Sequence, residues 1–229
     1  MKTRFFSCFP LFFLLAVSGC ATHTDMAFKN DAERFTEKSK PVYLMTATIK
    51  NTYRTSFQPR LLVVHVEKPN AKETVDRLAF VIDAKAKNGI ESPNTGNSYL
   101  LRLELEPGQY VIRGLSCLTK PFMIRGSFFA PMHSDLEVKD HGIFYLGHVT
   151  ATVRERQGNE FKAGASIPLI DQAVVGASGG TFDIVITDEF ATDEPTFRAK
   201  FPALVDVPIT KAILPAFDRA KAQKWWEEH

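Results

Sequence analysis

Between Pro41 and Asp188 the chain keeps repeating one pattern, a short run rich in Val, Leu, Ile and Phe followed by a break of Pro, Gly, Asn or Lys. Val42 to Ile49, Arg60 to Val66 and Arg77 to Asp83 are such runs, and branched and aromatic side chains at this density predict strands. Tyr99, Leu101, Leu103 and Leu105 alternate with Leu100, Arg102, Glu104 and Glu106, which predicts a strand with one face on a core and the other in water. Pro107-Gly108 then turns the chain, and Gln109 to Leu115 returns with Tyr110 and Ile112 on one face, so a hairpin is expected. Met123 to Ala130 and Ile143 to Arg156 continue the series, Phe161 to Leu169 is strand or loop, and Thr181 to Thr187 closes it. About nine short strands separated by turn residues predict a mainly β protein, an antiparallel β-sandwich.

The pattern changes at both ends. Ala21 to Lys40 is polar with scattered Met26, Phe28 and Phe35, and is expected to be a spacer. After Asp188, Asp193-Glu194-Pro195 predicts the start of a short helix over Thr196 to Phe201, which Pro202 ends. Pro215 to Glu228 is the strongest helical segment, since proline suits a first turn and Ala216, Ala220, Lys221, Ala222 and Lys224 favour helix. Trp225 and Trp226 diverge by about 100° on that helix. One packs on the sheets while the other is partly exposed, or the pair anchors a partner. The expected division is therefore a β domain over 41–188 and a C-terminal helical appendage over 189–229.

The first twenty residues carry a different signal. Lys2 and Arg4 precede an apolar run from Phe5 to Val17, and small residues lead to Cys20. The run is shorter than the roughly 20 residues that a membrane span needs, so it predicts a cleaved signal peptide over 1–19. Leu15-Ala16-Val17-Ser18-Gly19-Cys20 resembles a bacterial lipobox. That resemblance implies a thioether-linked diacylglycerol and an N-acyl chain on Cys20, hence a membrane-lipid partner and a palmitate-type modification. Ala21 after the cysteine, in place of aspartate, resembles outer-membrane sorting on the periplasmic face.

Loss of Lys2 and Arg4 from the 28 basic residues leaves 26 against 26 acidic ones, so the mature chain is formally neutral. A nucleic-acid partner is not expected, since that calls for a clustered basic excess. With Cys8 removed and Cys20 alkylated, Cys117 has no internal disulfide partner and is expected to be buried and inert.

Candidate chemistry is sparse. Gly176-Ala177-Ser178-Gly179-Gly180 fits G-x-S-x-G, but a hydrolase elbow runs from strand into helix, and here the strand Thr181 to Ile186 follows. The same string resembles the nucleophile segment of chymotrypsin-like proteases, with Ala177 where those carry aspartate and His65 in an unlike setting. A glycine-rich turn is the simpler reading. His133 and His141 could meet at strand ends as metal ligands, although no histidine pair has ligand spacing. No cofactor is expected. Leu103-Glu104-Leu105-Glu106-Pro107-Gly108-Gln109-Tyr110 resembles the L-x-PG-x-Y turn of transthyretin-like and carboxypeptidase-regulatory-like sandwiches. Val138 to Val149 resembles the second aromatic strand of uncharacterised envelope lipoproteins with that sandwich. The resemblance covers residues 97–155 and implies a fold but no enzymatic residue. Together these readings point to a lipid-anchored, non-catalytic envelope protein that binds or assembles with an unknown partner or ligand. Its surface would be a sheet edge or the aromatics Phe128, Phe129, Trp225 and Trp226. The rivals are a hydrolase using Ser178 and a metal protein using His133 and His141.

Overall fold

The computed structural model describes residues 21–92, 95–121, 123–164 and 170–228. The signal segment and Cys20 lie outside them. Strands β1 (Thr22–Asp25), β2 (Val42–Asn51), β3 (Arg60–Glu67), β4 (Arg77–Val81), β5 (Lys87–Ser92) and β6 (Gly96–Glu104) come first. β7 (Gly108–Thr119), β8 (Gly126–Val138), β9 (Ile143–Glu155), β10 (Gly180–Thr187) and β11 (Ile209–Lys211) follow, with helices α1 (Ile170–Val174), α2 (Phe190–Lys200) and α3 (Arg219–Glu228). One sheet, the first, has the order β1-β4-β3-β7-β8; the second has β10-β9-β2-β6-β5, with β11 beside the start of β9.

The chain is thus mainly β, but it is not purely antiparallel. β2 runs parallel to β9, as do β11 to β9 and β1 to β4. Both sheets are mixed. The Pro107-Gly108 turn does not close a hairpin either: β6 pairs with β2 and β5, whereas β7 pairs with β3 and β8. Each strand has both edges taken in its own sheet, so the turn carries the chain from one sheet to the other.

One buried cluster draws side chains from both sheets, including Met45, Leu101 and Leu103 from the second and Val64, Ile112 and Leu115 from the first. A second cluster covers the other face of the second sheet, where Val42, Leu44, Leu100 and Tyr145 meet Phe28, Phe197, Phe201 and Leu204. This corrects the reading of β6 as half in water. Arg102 is 0% exposed. Its guanidinium donates to Ala27 O at 2.8 Å and Leu100 O at 3.0 Å, pairs with Asp83, and lies 4.3 Å from the Phe201 ring centre. Burial works against its charge and lowers its pKa, while Asp83 opposes that shift.

The same cluster changes the picture of both ends. Thr22 to Asp25 hydrogen-bond along β4 and Met26, Ala27 and Phe28 are buried, so the supposed spacer is built into the body almost from its start. β11 joins the second sheet, and α2 packs against β9, so residues 189–228 are no loose appendage. α2 begins at Phe190, earlier than the proline signal suggested. The Asp188 carboxylate accepts from Phe190 N at 3.2 Å and the Glu189 carbonyl receives Thr192 N and Asp193 N at 2.9 Å, so the first helical bonds form upstream of the proline signal and leave Pro195 inside the helix. α3 begins at Arg219, where Asp218 caps it by accepting from Lys221 N at 2.9 Å.

Candidate functional site

Two clusters of polar side chains stand out, one on each sheet. The first lines a groove of about 550 Å³ on the face of the first sheet turned away from the shared core. Alternation puts it there. Val64, Val66, Leu115 and Cys117 point inward, leaving His65, Glu67 and Ser116 on the outer face. His65 Nε2 lies 2.7 Å from Ser116 Oγ, and Arg113 Nε donates to Glu67 Oε1 at 2.6 Å. Desolvation lowers the His65 pKa against the pull of Glu67, which keeps the ring neutral near pH 7. Arg113 also approaches His133 Nδ1 at 3.3 Å. Above this floor stands Trp225 of α3, 4.9 Å from the His133 ring and 5.8 Å from Phe129.

The four aromatics singled out in the sequence therefore separate. Phe129 and Trp225 line the groove, Phe128 is buried edge-to-face on Phe182 at 6.4 Å, and Trp226 packs against the core. His133 and His141 do not meet. His141 Nδ1 lies 3.1 Å from Ser39 O and its ring tilts over Phe35, whereas His133 is buried under Trp225. Cys117 is buried among apolar neighbours that push its thiol pKa far up, so it is a poor nucleophile. Ser178 follows α1 and precedes β10, the reverse of a hydrolase elbow. Among the described residues no histidine or carboxylate hydrogen-bonds it. The segment is a tight turn: Gly176 has φ +84°, and a Cβ there would lie 2.8 Å from the Tyr53 ring.

A network at its far end holds α3, and with it Trp225, over the groove. Glu160 accepts from both terminal nitrogens of Arg154, at 2.8 and 2.6 Å, and from Arg219 at 3.1 Å; Gln223 of α3 accepts from Phe161 N at 2.7 Å. The Arg154 guanidinium beside Glu160 lowers its pKa to about 2. A depressed carboxylate contributes stability above its unfolded pKa that is lost as pH falls through the folded one. Acidification from about pH 4.5 to about 2 should therefore loosen α3 and redshift its tryptophan emission. Glu160→Gln should loosen the helix already at pH 7 and flatten that transition; identical fluorescence profiles for the two proteins would show that Glu160 does not hold α3.

The second cluster lies on the outer side of the second sheet, between β9 and the head of α2. His148 Nδ1 is 3.3 Å from Asp193 Oδ2 and 3.4 Å from Glu189 Oε2, yet off the axis of a hydrogen bond to either. Its Nε2 lies 3.0 Å from Thr48 Oγ1. Tyr145 donates to Asp193 Oδ2 at 2.6 Å, and Thr187 donates to Glu189 Oε1 at 3.0 Å. Desolvation works against the Asp193 charge, but His148, Tyr145 and Thr46 outweigh it and hold the carboxyl below its usual range. Asp193 in turn raises His148, against the effect of burial. Thr48, His148 and Asp193 are ordered like a hydroxyl–imidazole–carboxylate relay. Thr48, however, sits mid-strand with β2 paired to β6 and β9, so the neighbouring backbone amides serve the ladders instead of an oxyanion hole. Spacing in the sequence did not reveal this cluster, because its members come from β9, from the residue before α2 and from α2 itself. The available clue was a polar histidine amid the apolar run of β9, together with acids heading a helix.

Comparison with protein-family models, curated proteins and solved structures gives no match to this chain.

Proposed function

We propose that the protein is a lipid-anchored, non-catalytic envelope protein whose two mixed sheets pack as a β-sandwich and present the groove beneath Trp225 as a binding surface. The observation that carries this reading is the make-up of the groove. It sets two aromatic faces, Phe129 and Trp225, beside the charged Arg77, Arg113 and Glu67 and the neutral His65–Ser116 pair. Flat apolar surface flanked by directional polar groups is the chemistry of recognition. Catalysis by Ser116 is disfavoured, because β7 is paired on both sides and its amides are committed to β3 and β8.

The anchor gives the groove a setting. Only Ala21 separates Cys20 from β1, so acyl chains on Cys20 would leave the body within about 7 Å of Thr22. β1 lies on β4, the Thr22 hydroxyl donates to Thr74 O at 3.0 Å, and Asn70, Ala71 and Arg77 of that same region line the groove. The groove would open beside the bilayer, facing a membrane-proximal partner, with no nucleic acid involved. No helix among the described residues is long and apolar enough to cross a membrane.

A photoreactive residue at Ala71, introduced in the producing cell, tests the groove. It should give a discrete crosslinked adduct that Trp225→Ala weakens several-fold, while the same probe at exposed Val185 on the second sheet gives none. Equal adducts from both positions, or none from Ala71, would overturn the binding role.

A further inference from the structure

We infer that His148, Glu189 and Asp193 form a binding site for one first-row divalent metal ion, of which zinc is the natural probe. Three observations converge, and none depends on the anchor or on the groove. First, the donor atoms are grouped: each residue offers one ligand atom, and all lie within 4.8 Å of one another. Zinc takes His nitrogen and carboxylate oxygen at about 2.0–2.2 Å, so a tetrahedral site has ligand-to-ligand edges of about 3.3–3.6 Å. The two edges from His148 Nδ1 measure 3.3 and 3.4 Å.

Second, each donor residue is held by its own hydroxyl. Thr48 meets His148 Nε2, Tyr145 donates to Asp193 Oδ2, the oxygen that also faces the imidazole, and Thr187 takes the Glu189 oxygen remote from it. The Thr48 hydroxyl can accept from Nε2–H or donate to Nε2, and in the first arrangement the Nδ1 lone pair faces the two carboxylates. Metal-ligating histidines are oriented in this way, through the second ring nitrogen. A proton on Nδ1 relieves the repulsion between that nitrogen and the two anions, and a metal ion taking the place of the proton would do the same.

Third, polar capacity remains unfilled at that point. His148 Nδ1 is buried with no hydrogen bond of good geometry, and neither has the Thr46 hydroxyl, in a residue 1% exposed that is the register partner of His148 and borders Asp193. A water completing the coordination of the ion would give Thr46 a partner. One imidazole with two carboxylates and an open position suits zinc, cobalt or manganese better than calcium, which takes six to eight oxygens. Glu189 is about half exposed, so the ion has a route in from solvent.

The test uses the full chain, purified in detergent and stripped with a chelator. Calorimetric titration with Zn²⁺ should show one ion per chain, and Co²⁺ should develop the visible absorption of a four-coordinate site. Glu189→Gln alters a partly exposed side chain and should keep the native melting curve while weakening Zn²⁺ at least about tenfold; Asp193→Asn and His148→Ala should do the same or more. His141→Ala, distant from the cluster, should leave affinity unchanged. No stoichiometric binding by the wild-type chain, or undiminished binding by the folded Glu189→Gln protein, would overturn the site, as would an equal loss in His141→Ala.

Discussion

Arg102→Ala should destabilise the protein by about 3–5 kcal/mol, the range for removing one partner of a buried ion pair. For a chain of this size that lowers the melting temperature by very roughly 10 °C. Several losses combine. The Asp83 carboxylate keeps its charge without its partner, the Ala27 and Leu100 carbonyls each lose a donor, and the Phe201 ring loses the cation stacked on it. A cavity adds to the cost, because the side chain is 0% exposed and walled by Phe28, Phe201 and their neighbours. Arg102→Met fills most of the volume and orphans the same carbonyls, so it should fall between wild type and alanine. Chemical denaturation of the three proteins checks this order. A loss under 1 kcal/mol for alanine would mean that Arg102 does not tie the N-terminal segment and α2 to the second sheet.

Arg102 also marks where the sequence misleads. The alternation in β6 correctly gives Tyr99, Leu101 and Leu103 to the shared core, but period two cannot tell water from a further layer on the other face. That layer is made of Phe28, Phe197, Phe201 and Leu204, remote in the chain and brought there by tertiary packing. The long strands β2, β3, β9 and β10 were legible because dense branched side chains leave few other local solutions. Thr22 to Asp25 was illegible as β1, since four polar residues join β4 through backbone bonds alone. Pro107-Gly108 announced a reversal without saying which sheet receives the next strand. At the groove, the sequence offered Phe128, Phe129, Trp225 and Trp226 together for an interface, of which Phe129 and Trp225 line the groove, and it could not have added His65, Ser116 and Arg113, whose meeting depends on the β3–β7 register. The metal cluster was less legible still: Glu189 stands in no spacing with a histidine, and Asp193 meets His148 only because α2 starts at Phe190 and packs on β9.

The proposed function turns on Cys20. Two acyl chains, at about 0.8 kcal/mol per buried methylene, already hold a protein stably on a bilayer, and one substitution removes all three implied for Cys20. Cys20→Ser should therefore move the protein from the membrane fraction to the soluble one while the body, which starts at β1, folds unchanged. Direct evidence is the intact mass of the wild-type protein extracted from the envelope of its host, read beside the fractionation of Cys20→Ser. The predicted result is a chain beginning at Cys20 and heavier than its sequence by a diacylglyceryl group and one acyl chain, with the serine variant soluble. An unmodified mass, or a serine variant that stays on the membrane as firmly as wild type, would contradict the account.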